Sequence, residues 1–223
     1  RAMTELGFDD DGLIPALATD DLTGQPRMLA WMNREALERT LATGRATFWS
    51  RSRGELWEKG ASSGNTLAVK SIWADCDGDT LLLLVDPAGP SCHTCRPTCF
   101  FRRVTGSDAL DEDPEVAGPE LERLERTVLA RSNDAGARSY THQLLARGAS
   151  AIGAKLREES SELAEAIASE SQERVASEAA DVLYHLMVAL RLRGVALRDV
   201  LGALRERSGT SGLDEKAARG IGV

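Results

Sequence analysis

Three aspartates near position 77 form the first group of side chains in this sequence that could do chemistry. Asp75, Asp77 and Asp79 alternate with other residues just before the apolar run 81–85. On an extended segment, alternate side chains project to one face. Three carboxylates on one face repel one another unless a cation lies among them, and hard oxygen donors suit Mg²⁺. The spacing therefore predicts a magnesium site, although Asp-x-Asp-Gly-Asp is also typical of an ordinary turn.

Cysteines form a second group that overlaps the first. All four cysteines of the chain, Cys76, Cys92, Cys95 and Cys99, lie in one segment, and His93 lies among them. Thiolates suit a soft ion such as Zn²⁺, and on an extended segment Cys76 would point away from its flanking aspartates. The Cys-x-x-Cys pair is also found in redox pairs, structural zinc knuckles and iron–sulfur sites. Four cysteines beside a histidine favour metal binding over unreactive core thiols.

The residues around these two groups resemble a known enzyme family. The segment WADCDGDTLLLLVDPAGPSCHTCRPTCF resembles the signature of phosphoribosyl-AMP cyclohydrolase, the histidine-biosynthesis enzyme that opens the adenine ring of its nucleotide substrate. The upstream segments RMLAWMN and FWSRSRGELWEKGASSGN resemble the other two blocks of the same family. Together the three segments cover nearly all of the first hundred residues.

This resemblance implies a ligand set and a mechanism. It implies that three cysteines hold Zn²⁺ and three aspartates hold Mg²⁺: Cys76, Cys92, Cys99 and Asp75, Asp77, Asp79. Zinc would lower the pKa of a bound water toward about 7 and deliver hydroxide to C6 of the adenine, after which the N1–C6 bond breaks. His93, next to a zinc ligand, is the natural proton carrier. The family usually has Gly where this chain has Cys95.

Several side chains upstream of the aspartates are candidates for contacts with the substrate. Charge alone favours solvated side chains for the basic residues of this region. The resemblance implies instead that the Trp-Ser-Arg-Ser-Arg block and the loop containing Ser-Gly lie near the nucleotide or its phosphate. The candidate substrate-binding residues are Trp49, Arg51, Arg53, Lys59, Ser63 and Gly64.

A third chemical group lies in the second half of the sequence. Glu158, Glu159 and Glu162 occur on one probable helix, and Glu178 and Asp181 lie at the same angular offset on the next. Like charges three or four residues apart are unfavourable on a bare helix. The two acidic sets can face each other, which predicts oxygen ligands for Mg²⁺. Solvated Glu-rich helices are the alternative.

A second resemblance covers this region. LLARGASAIGAKLREESSELAEA and ASEAADVLYHLMVALRLRGVALRDVLGALRER resemble phosphoribosyl-ATP pyrophosphohydrolase, an all-helical relative of the MazG-type nucleotide pyrophosphatases. In that group the acids of EExxE and ExxD bind Mg²⁺, which would hold the triphosphate oxygens and help a water attack. This implies catalytic roles for Glu159 and Glu162 and substrate binding by Lys155. His185 is predicted to pack in the core and not to bind metal.

Periodicity predicts the elements that position these groups. Asn33 should cap a helix that has Leu37 and Leu41 on one face and ends at Gly44. Strands are predicted within 8–18 and over 46–50, 55–59, 67–73, 81–85 and 100–104. Helices are predicted over 120–131, 141–147, 149–170, 172–193 and 197–207. Two apolar stripes should join the central helices: Leu156, Ser160, Leu163, Ile167 and Val175, Ala179, Val182, Leu186.

These elements predict an α+β protein with a strand-rich N-terminal domain followed by an all-α, MazG-like helical bundle. Residues 1–105 form the predicted cyclohydrolase domain and residues 119–223 the predicted pyrophosphohydrolase domain. Residues 106–118 contain Pro, Gly and acidic residues without periodicity, which is typical of a linker. A chain of 223 residues with 42% hydrophobic residues is long enough for two cores.

Composition narrows the partners and the compartment. The formal net charge of −8 argues against a surface that coats nucleic acid. No run of eighteen apolar residues occurs and no signal-like segment begins the sequence, so we expect no membrane contact. Clustered cysteines fit reduced, metal-binding thiols in the cytoplasm. Small phosphoribosyl nucleotides remain compatible partners, because metals and a few placed cations hold phosphates whatever the net charge.

The two resemblances together imply a bifunctional hydrolase of histidine biosynthesis. It would hydrolyse phosphoribosyl-ATP to phosphoribosyl-AMP and pyrophosphate, and then open the purine ring. An outward-facing Cys76, with the dimer interface that the first resemblance implies, predicts a homodimer with zinc shared between chains; zinc held within one chain is the alternative. One alternative is a structural zinc module, closed by four cysteines, joined to a helical interaction bundle. Another is a zinc nucleobase deaminase fused to a general pyrophosphatase, although the deaminase His-x-Glu and Pro-Cys-x-x-Cys patterns are absent.

Overall fold

The computed structural model describes residues 5–107, 109–112, 117–133 and 139–208. The chain divides into two compact units, Arg1–Pro119 and Glu120–Val223. Each unit has its own cluster of buried apolar side chains. Within the described ranges, no helix is both long and apolar enough to cross a membrane.

The first unit is built on a six-stranded sheet in the order β4-β3-β2-β1-β6-β5. Its strands are β1 Ile14–Asp20, β2 Pro26–Met32, β3 Thr47–Ser50, β4 Glu55–Glu58, β5 Leu67–Ala74 and β6 Leu81–Pro87. All neighbouring strands are antiparallel except β1 and β6, which are parallel. A helix, α1 (Arg34–Thr43), follows β2, and a separate hairpin joins β7 (Arg102–Val104) to β8 (Leu110–Glu112).

Alternation of small and branched side chains places one face of the sheet in the core. Ile14, Ala16 and Ala18 of β1 are fully buried, as are Leu81 and Leu83 of β6. Successive side chains of a strand point to opposite faces, so the intervening residues lie on the other face of the sheet. The predicted strands over 46–50, 55–59, 67–73 and 81–85 all occur, with ends shifted by one or two residues.

Helix α1 begins and ends as its sequence predicts. The side chain of Asn33 accepts a hydrogen bond from the Ala36 N–H at 2.8 Å, and Gly44 closes the helix with φ 67°. Of the two leucines predicted on one face, Leu37 packs against the core and Leu41 is 67% exposed, while Thr40 is buried. The Thr40 hydroxyl donates to the Ala36 carbonyl at 2.8 Å. This internal hydrogen bond removes the cost of burying a polar side chain.

The second unit is helical throughout its described residues. Its helices are α2 Glu120–Asn133, α3 Tyr140–Ala146, α4 Gly148–Ser169, α5 Gln172–Arg193 and α6 Leu197–Ser208. Each boundary lies within two residues of its prediction, because Ser139, Ser171 and Gly194 cap the helices with side-chain or left-handed geometry. The predicted α+β fold class, strand-rich first and helical second, is confirmed.

The apolar stripe predicted for α4 is wrong at two of its four positions, whereas all four residues of the α5 stripe are partly buried. Ile167 is 67% exposed and Ser160 is also exposed, whereas Ile152, Glu159 and Ala166 are buried at intervals of seven residues. Glu178 and His185 are buried on α5 at the same interval. A seven-residue repeat is typical of two helices that pack along a shared seam. Glu159 and Glu178 therefore lie on the seam itself, whereas Glu158, Glu162 and Asp181 are exposed.

Part of the predicted linker is structured. Strand β8 lies inside the segment 106–118, where it pairs with β7. Residues 108 and 113–116 of that segment lie outside the described residues. The domain limits at 105 and 119 stay a prediction.

A buried ion pair joins the start of β2 to the end of β1. Arg27 contacts the carboxylate of Asp20, whose side chain is fully buried. The other Asp20 oxygen accepts hydrogen bonds from the N–H groups of Leu22 and Thr23, both at 3.0 Å. Burial would raise the pKa of Asp20, but these N–H groups and Arg27 outweigh burial and hold the pKa below its usual range. The pair therefore stabilises the fold while Asp20 is ionised.

We predict that Asp20→Asn lowers the free energy of unfolding of the first unit by about 3 kcal/mol at pH 7, because Arg27 loses its buried partner. The folded-state pKa of Asp20 is lowered, so this stabilisation is present above the unfolded pKa, about 3.9, and is lost as the pH falls through the folded value. The measurement is urea unfolding followed by tryptophan fluorescence, since all four tryptophans lie between positions 31 and 73.

Asp10→Asn, at an exposed aspartate of the same unit, is the matched control. The account of the ion pair is contradicted if Asp20→Asn and Asp10→Asn unfold alike at pH 7.

Candidate metal centres

The three aspartates lie together in a turn, not on an extended strand. Residues 75–80 connect β5 to β6, and the Gly78 N–H donates to the Asp75 carbonyl at 3.3 Å. Gly78 has φ 76°, a conformation that side chains other than glycine rarely adopt. Carboxylate oxygens of Asp75, Asp77 and Asp79 nevertheless lie within 4.8 Å of one another, and all three residues are exposed. The expected extended geometry was wrong, but the expected grouping occurs through turn chemistry.

Three of the cysteines, Cys92, Cys95 and Cys99, line a cavity of about 440 Å³. Burial and the neighbouring Cys92 thiolate raise the pKa of Cys99 to about 11. Burial would raise the pKa of Cys92 as well, but the hydroxyl of Thr94 donates to its sulfur at 3.0 Å, and with other hydrogen bonds this lowers the pKa. The thiol of Cys92 is therefore more acidic than that of Cys99. A soft cation would take the place of the Cys99 proton.

Strand β2 fixes the position of Cys99. The Cys99 N–H donates to the Arg27 carbonyl at 2.9 Å, and the Thr98 hydroxyl donates to the Pro26 carbonyl at 2.6 Å. The guanidinium of Arg27 donates to the Pro97 carbonyl at 3.1 Å. Sequence reasoning missed Arg27 and Thr98 as supports of the site. Their roles depend on contacts about seventy residues apart, for which the sequence carries no local signal.

Cys76 does not join the other cysteines within one chain. It lies exposed in the aspartate turn, with its sulfur 3.9 Å from a carboxylate oxygen of Asp77. Across the described residues, only two groups of three or more His, Cys, Asp or Glu ligand atoms lie within 4.8 Å of one another, and neither includes a cysteine. One chain therefore brings together Cys92 and Cys99 but not the third predicted zinc ligand.

The helical unit brings together three of its five predicted metal ligands. Carboxylate oxygens of Glu159, Glu178 and Asp181 lie within 4.8 Å of one another, with both glutamates buried and Asp181 exposed. Glu158 and Glu162 are exposed neighbours outside this group. Partial desolvation and the nearby charges of Glu159, Glu178 and Glu158 raise the pKa of Glu162.

Two cations pair with the two buried members of this acidic group. The ammonium of Lys155 lies 2.8 Å from Glu159 and 3.0 Å from Glu158, and these carboxylates raise the pKa of Lys155. Arg174 forms an ion pair with Glu178 and another with Glu170. Lys155 was predicted as a substrate-binding residue, whereas Arg174 was not singled out. A single arginine one turn before Glu178 has no distinctive sequence pattern.

Comparison with known proteins agrees with both resemblances. Residues 28–101 match the family model of phosphoribosyl-AMP cyclohydrolase, and residues 121–208 match that of phosphoribosyl-ATP pyrophosphohydrolase. A histidine biosynthesis bifunctional protein HisIE from Prochlorococcus marinus is 46% identical over 209 residues, covering 92% of this chain and 93% of that protein. The chain belongs to the HisIE family.

Other HisIE proteins show a similar degree of likeness. The protein of Photobacterium profundum is 45% identical and covers 88% of this chain and 93% of its own length. That of Bacillus subtilis is 43% identical and covers 91% of this chain and 95% of its own length. The chain is accordingly a bifunctional cyclohydrolase and pyrophosphohydrolase of histidine biosynthesis. This finding decides against the structural zinc module and the deaminase fusion.

The predicted substrate-binding residues of this HisIE chain do not all lie in one place. Lys59 and Ser63 line the cysteine cavity together with His93. Desolvation lowers the pKa of Lys59, although the two thiols oppose the shift. Its ammonium donates to the Asn65 carbonyl at 3.0 Å. The adjacent Gly60 has φ 84°, and a Cβ there would collide with the backbone of Asn65. This tight turn brings Lys59 to the cavity wall.

The remaining candidates lie on the β3–β4 hairpin and in the loop after it. Arg53 lines a neighbouring groove of about 570 Å³ and pairs with Glu55 at 3.3 Å. The guanidinium of Arg51 lies 4.8 Å from the ring centre of Trp31, which pairs in register with Trp49. Gly64 has φ 76° in the loop that carries Ser63. Their substrate roles stay predictions.

The backbone explains why Cys95 is unusual for the family. The Cys95 N–H donates to the Cys92 carbonyl at 3.1 Å, which closes a turn, and φ of Cys95 is 61°. Only glycine adopts this left-handed region without strain. Glycine, the usual family residue named above, therefore fits this turn better than cysteine does.

We predict that Cys95→Gly raises the free energy of unfolding by about 1 kcal/mol and leaves the zinc content of the protein unchanged, because it removes backbone strain and no zinc ligand. Urea unfolding followed by tryptophan fluorescence and metal analysis measure the two quantities. Cys95→Ala is the matched control, since it removes the thiol but keeps the strained Cβ. Loss of zinc from both variants would contradict the assignment and favour a closed four-cysteine site.

Proposed function

We propose that the two activities of this HisIE chain reside in separate halves. Residues 119–223 hydrolyse phosphoribosyl-ATP to phosphoribosyl-AMP and pyrophosphate, and residues 1–105 open the adenine ring of phosphoribosyl-AMP. One observation carries this proposal: each compact unit gathers its own group of acidic or thiol ligands, inside the range that resembles the corresponding enzyme.

In the helical half, the proposed Mg²⁺ ligands are Glu158, Glu159, Glu162, Glu178 and Asp181. The oxygen-only donor set and the 4.8 Å grouping of three of these side chains fit a hard divalent cation. Bound Mg²⁺ would supply electrostatic stabilisation of phosphate charge. Lys155, the cation nearest to Glu159, is proposed to bind phosphate oxygens. Glu162, whose pKa is raised by its surroundings, is suited to accept a proton from the attacking water, beside Glu159.

In the strand-rich half, the proposed ligands are Cys76, Cys92 and Cys99 for Zn²⁺ and Asp75, Asp77 and Asp79 for Mg²⁺. The paired Cys92 and Cys99 sulfurs fit a soft cation, which would supply a Lewis acid that lowers the pKa of a bound water. His93 lies exposed on the cavity wall, with Nδ1 3.9 Å from the Cys92 sulfur. It is proposed to carry a proton to the adenine nitrogen when the N1–C6 bond breaks.

The positions of Lys59 and Ser63 in the wall of the cysteine cavity also support binding of the nucleotide there. Lys59 and Ser63 are proposed to contact its phosphate there. Trp49, Arg51, Arg53 and Gly64 are proposed as further substrate contacts. The substrates are small phosphoribosyl nucleotides, and we place the enzyme in the cytoplasm, where thiol ligands stay reduced.

We further propose that the first half works as a homodimer with zinc shared between chains. Cys76 lies apart from Cys92 and Cys99 within one chain, so a second chain would have to supply Cys76 to this set of ligands. The sheet face opposite the core also carries an apolar row in register across four strands: Leu29, Leu17, Leu82 and Trp73. Leu29 is 49% exposed and Trp73 is 60% exposed. An identical copy packed on this face would bury the row.

We predict that Glu159→Gln lowers the rate of pyrophosphate release by about 100-fold or more, which corresponds to roughly 3 kcal/mol of transition-state stabilisation. Its cyclohydrolase activity on supplied phosphoribosyl-AMP should be unchanged.

Conversely, Cys92→Ser should release pyrophosphate normally and accumulate phosphoribosyl-AMP. The measurement is a product assay with phosphoribosyl-ATP, and Glu165→Gln, an exposed acid on the same helix, is the control. Loss of both activities in a folded Glu159→Gln protein would contradict the assignment of the two activities to separate halves of the chain.

Mixing two inactive variants tests the shared zinc. Cys76→Ser and Cys92→Ser chains, refolded together, form heterodimers in which one of two shared sites has every cysteine intact. Random pairing of equal amounts predicts recovery of about a quarter of the wild-type cyclohydrolase activity. Each variant refolded alone is the control. No recovery, despite heterodimers demonstrated by mass spectrometry, would rule out a shared site.

A further inference from the structure

His185 is buried directly beside the acidic group of the helical unit. Its side chain is 6% exposed, and its Nδ1 lies 3.7 Å from the carboxylate of Glu159. It lies on α5 one helical turn after Asp181 and two after Glu178, on the seam with α4. A buried polar ring in this position needs hydrogen-bond partners on its nitrogens.

Two hydrogen bonds determine the orientation of this ring. The Nδ1 atom lies 2.9 Å from the backbone carbonyl oxygen of Asp181, which can only accept, so Nδ1 carries the hydrogen. In the neutral ring Nε2 is then an acceptor. The hydroxyl of Tyr140 lies 3.4 Å from Nε2 and is placed to donate to it. This tautomer donates its Nδ1–H to the Asp181 carbonyl and turns Nε2 toward Tyr140. The Glu159 carboxylate, 3.7 Å from Nδ1, is in van der Waals contact with the ring and beyond hydrogen-bond distance.

We propose that His185 is a positioning residue for the Glu159 carboxylate in pyrophosphate release, and that Tyr140 acts through His185 by fixing its ring. The inference rests on the proposed Mg²⁺ site of the helical half. A carboxylate binds a metal well only when a neighbouring group holds its orientation, and replacing such a neighbour typically costs about 10–100-fold in affinity or activity. His185 packs against the Glu159 carboxylate, and the ammonium of Lys155 forms an ion pair with the same carboxylate at 2.8 Å.

Tyr140 gives the cleanest test, because it is 48% exposed and its ring is kept in Tyr140→Phe. Replacing the buried His185 itself risks unfolding the bundle. Tyr184→Phe is the matched control. Tyr184 stacks on Tyr140 and its ring meets the edge of His185, but its hydroxyl pairs with Thr141 at 2.7 Å. Removing that hydroxyl leaves the buried Thr141 side chain without this hydrogen-bond partner. The variant therefore loses stability without disturbing the His185 nitrogens.

The first experiment observes the ring directly in the full chain labelled with ¹⁵N-histidine. Only three histidines occur, so His93, His142 and His185 give three separable ring systems. We expect the Nδ1–H tautomer for His185 in metal-free protein. We also expect its signals to shift on addition of Mg²⁺, while those of His142, which contacts the Ser132 carbonyl at 3.2 Å, stay fixed. An Nε2–H tautomer, or a His185 signal that ignores Mg²⁺, overturns the proposal.

The second experiment measures the Mg²⁺ affinity of this site in the variants, from the His185 shifts and from the Mg²⁺ dependence of pyrophosphate release. We expect Tyr140→Phe to weaken Mg²⁺ binding by about 10-fold, the lower end of the range for an outer partner. Tyr184→Phe should change it less than about 2-fold. Equal effects in the two variants, or none in Tyr140→Phe, overturn the proposal. If Glu159→Gln abolishes pyrophosphate release in the same assays, the proposed function stands even where the positioning role fails.

Discussion

Mutual repulsion of gathered carboxylates is the constraint around which this protein is built. Three acidic oxygens lie within 4.8 Å of one another in the turn of the first unit, and three more in the helical unit. The repulsion is strongest for the buried glutamates, because water screens exposed charges. Such groups need compensation by cations, hydrogen bonds or solvent.

The two units compensate the repulsion between their carboxylates in different ways. Glu159 and Glu178 are buried on a helical seam, and Lys155 and Arg174 pair with them from the same two helices. The aspartate turn is exposed, so water screens its charges, and the turn hydrogen bonds of Gly78 and Thr80 hold its shape. In both units a divalent cation would replace weaker compensation by side chains or solvent. The surrounding fold opposes separation of the carboxylates in each group, as the proposed metal sites require.

Local signals in the sequence predicted much of this arrangement. Caps such as Asn33 and Gly194 determined helix ends, because their side-chain or left-handed geometry depends on residue type and immediate neighbours. The local spacing of Asp75, Asp77 and Asp79 also predicted that their carboxylates would group together, although a turn and not a strand brings them together. Resemblance to two families supplied the expected activities and metal ligands. The family models and the HisIE relatives agree with the activities.

What the sequence did not predict depends on contacts between distant elements. The helical seam runs through Glu159 and not through Ser160 and Ile167, because the helices pack on a seven-residue repeat that an apolar stripe alone does not reveal. The support of Cys99 by Arg27 is a tertiary feature of the same kind. His185 is buried, as predicted, but the sequence does not show which of its nitrogens faces which partner.

The central claim is that two chemically different cation sites lie in separate halves of one chain. Anomalous diffraction from crystals of the full chain grown with Zn²⁺ and Mn²⁺, the latter in place of Mg²⁺, tests it most directly. The account predicts a zinc-edge peak at Cys92 and Cys99, completed by Cys76 of a second chain, and a manganese peak among Glu159, Glu178 and Asp181. A zinc peak enclosed by Cys92, Cys95 and Cys99 of one chain, or no manganese on the helical seam, would contradict it.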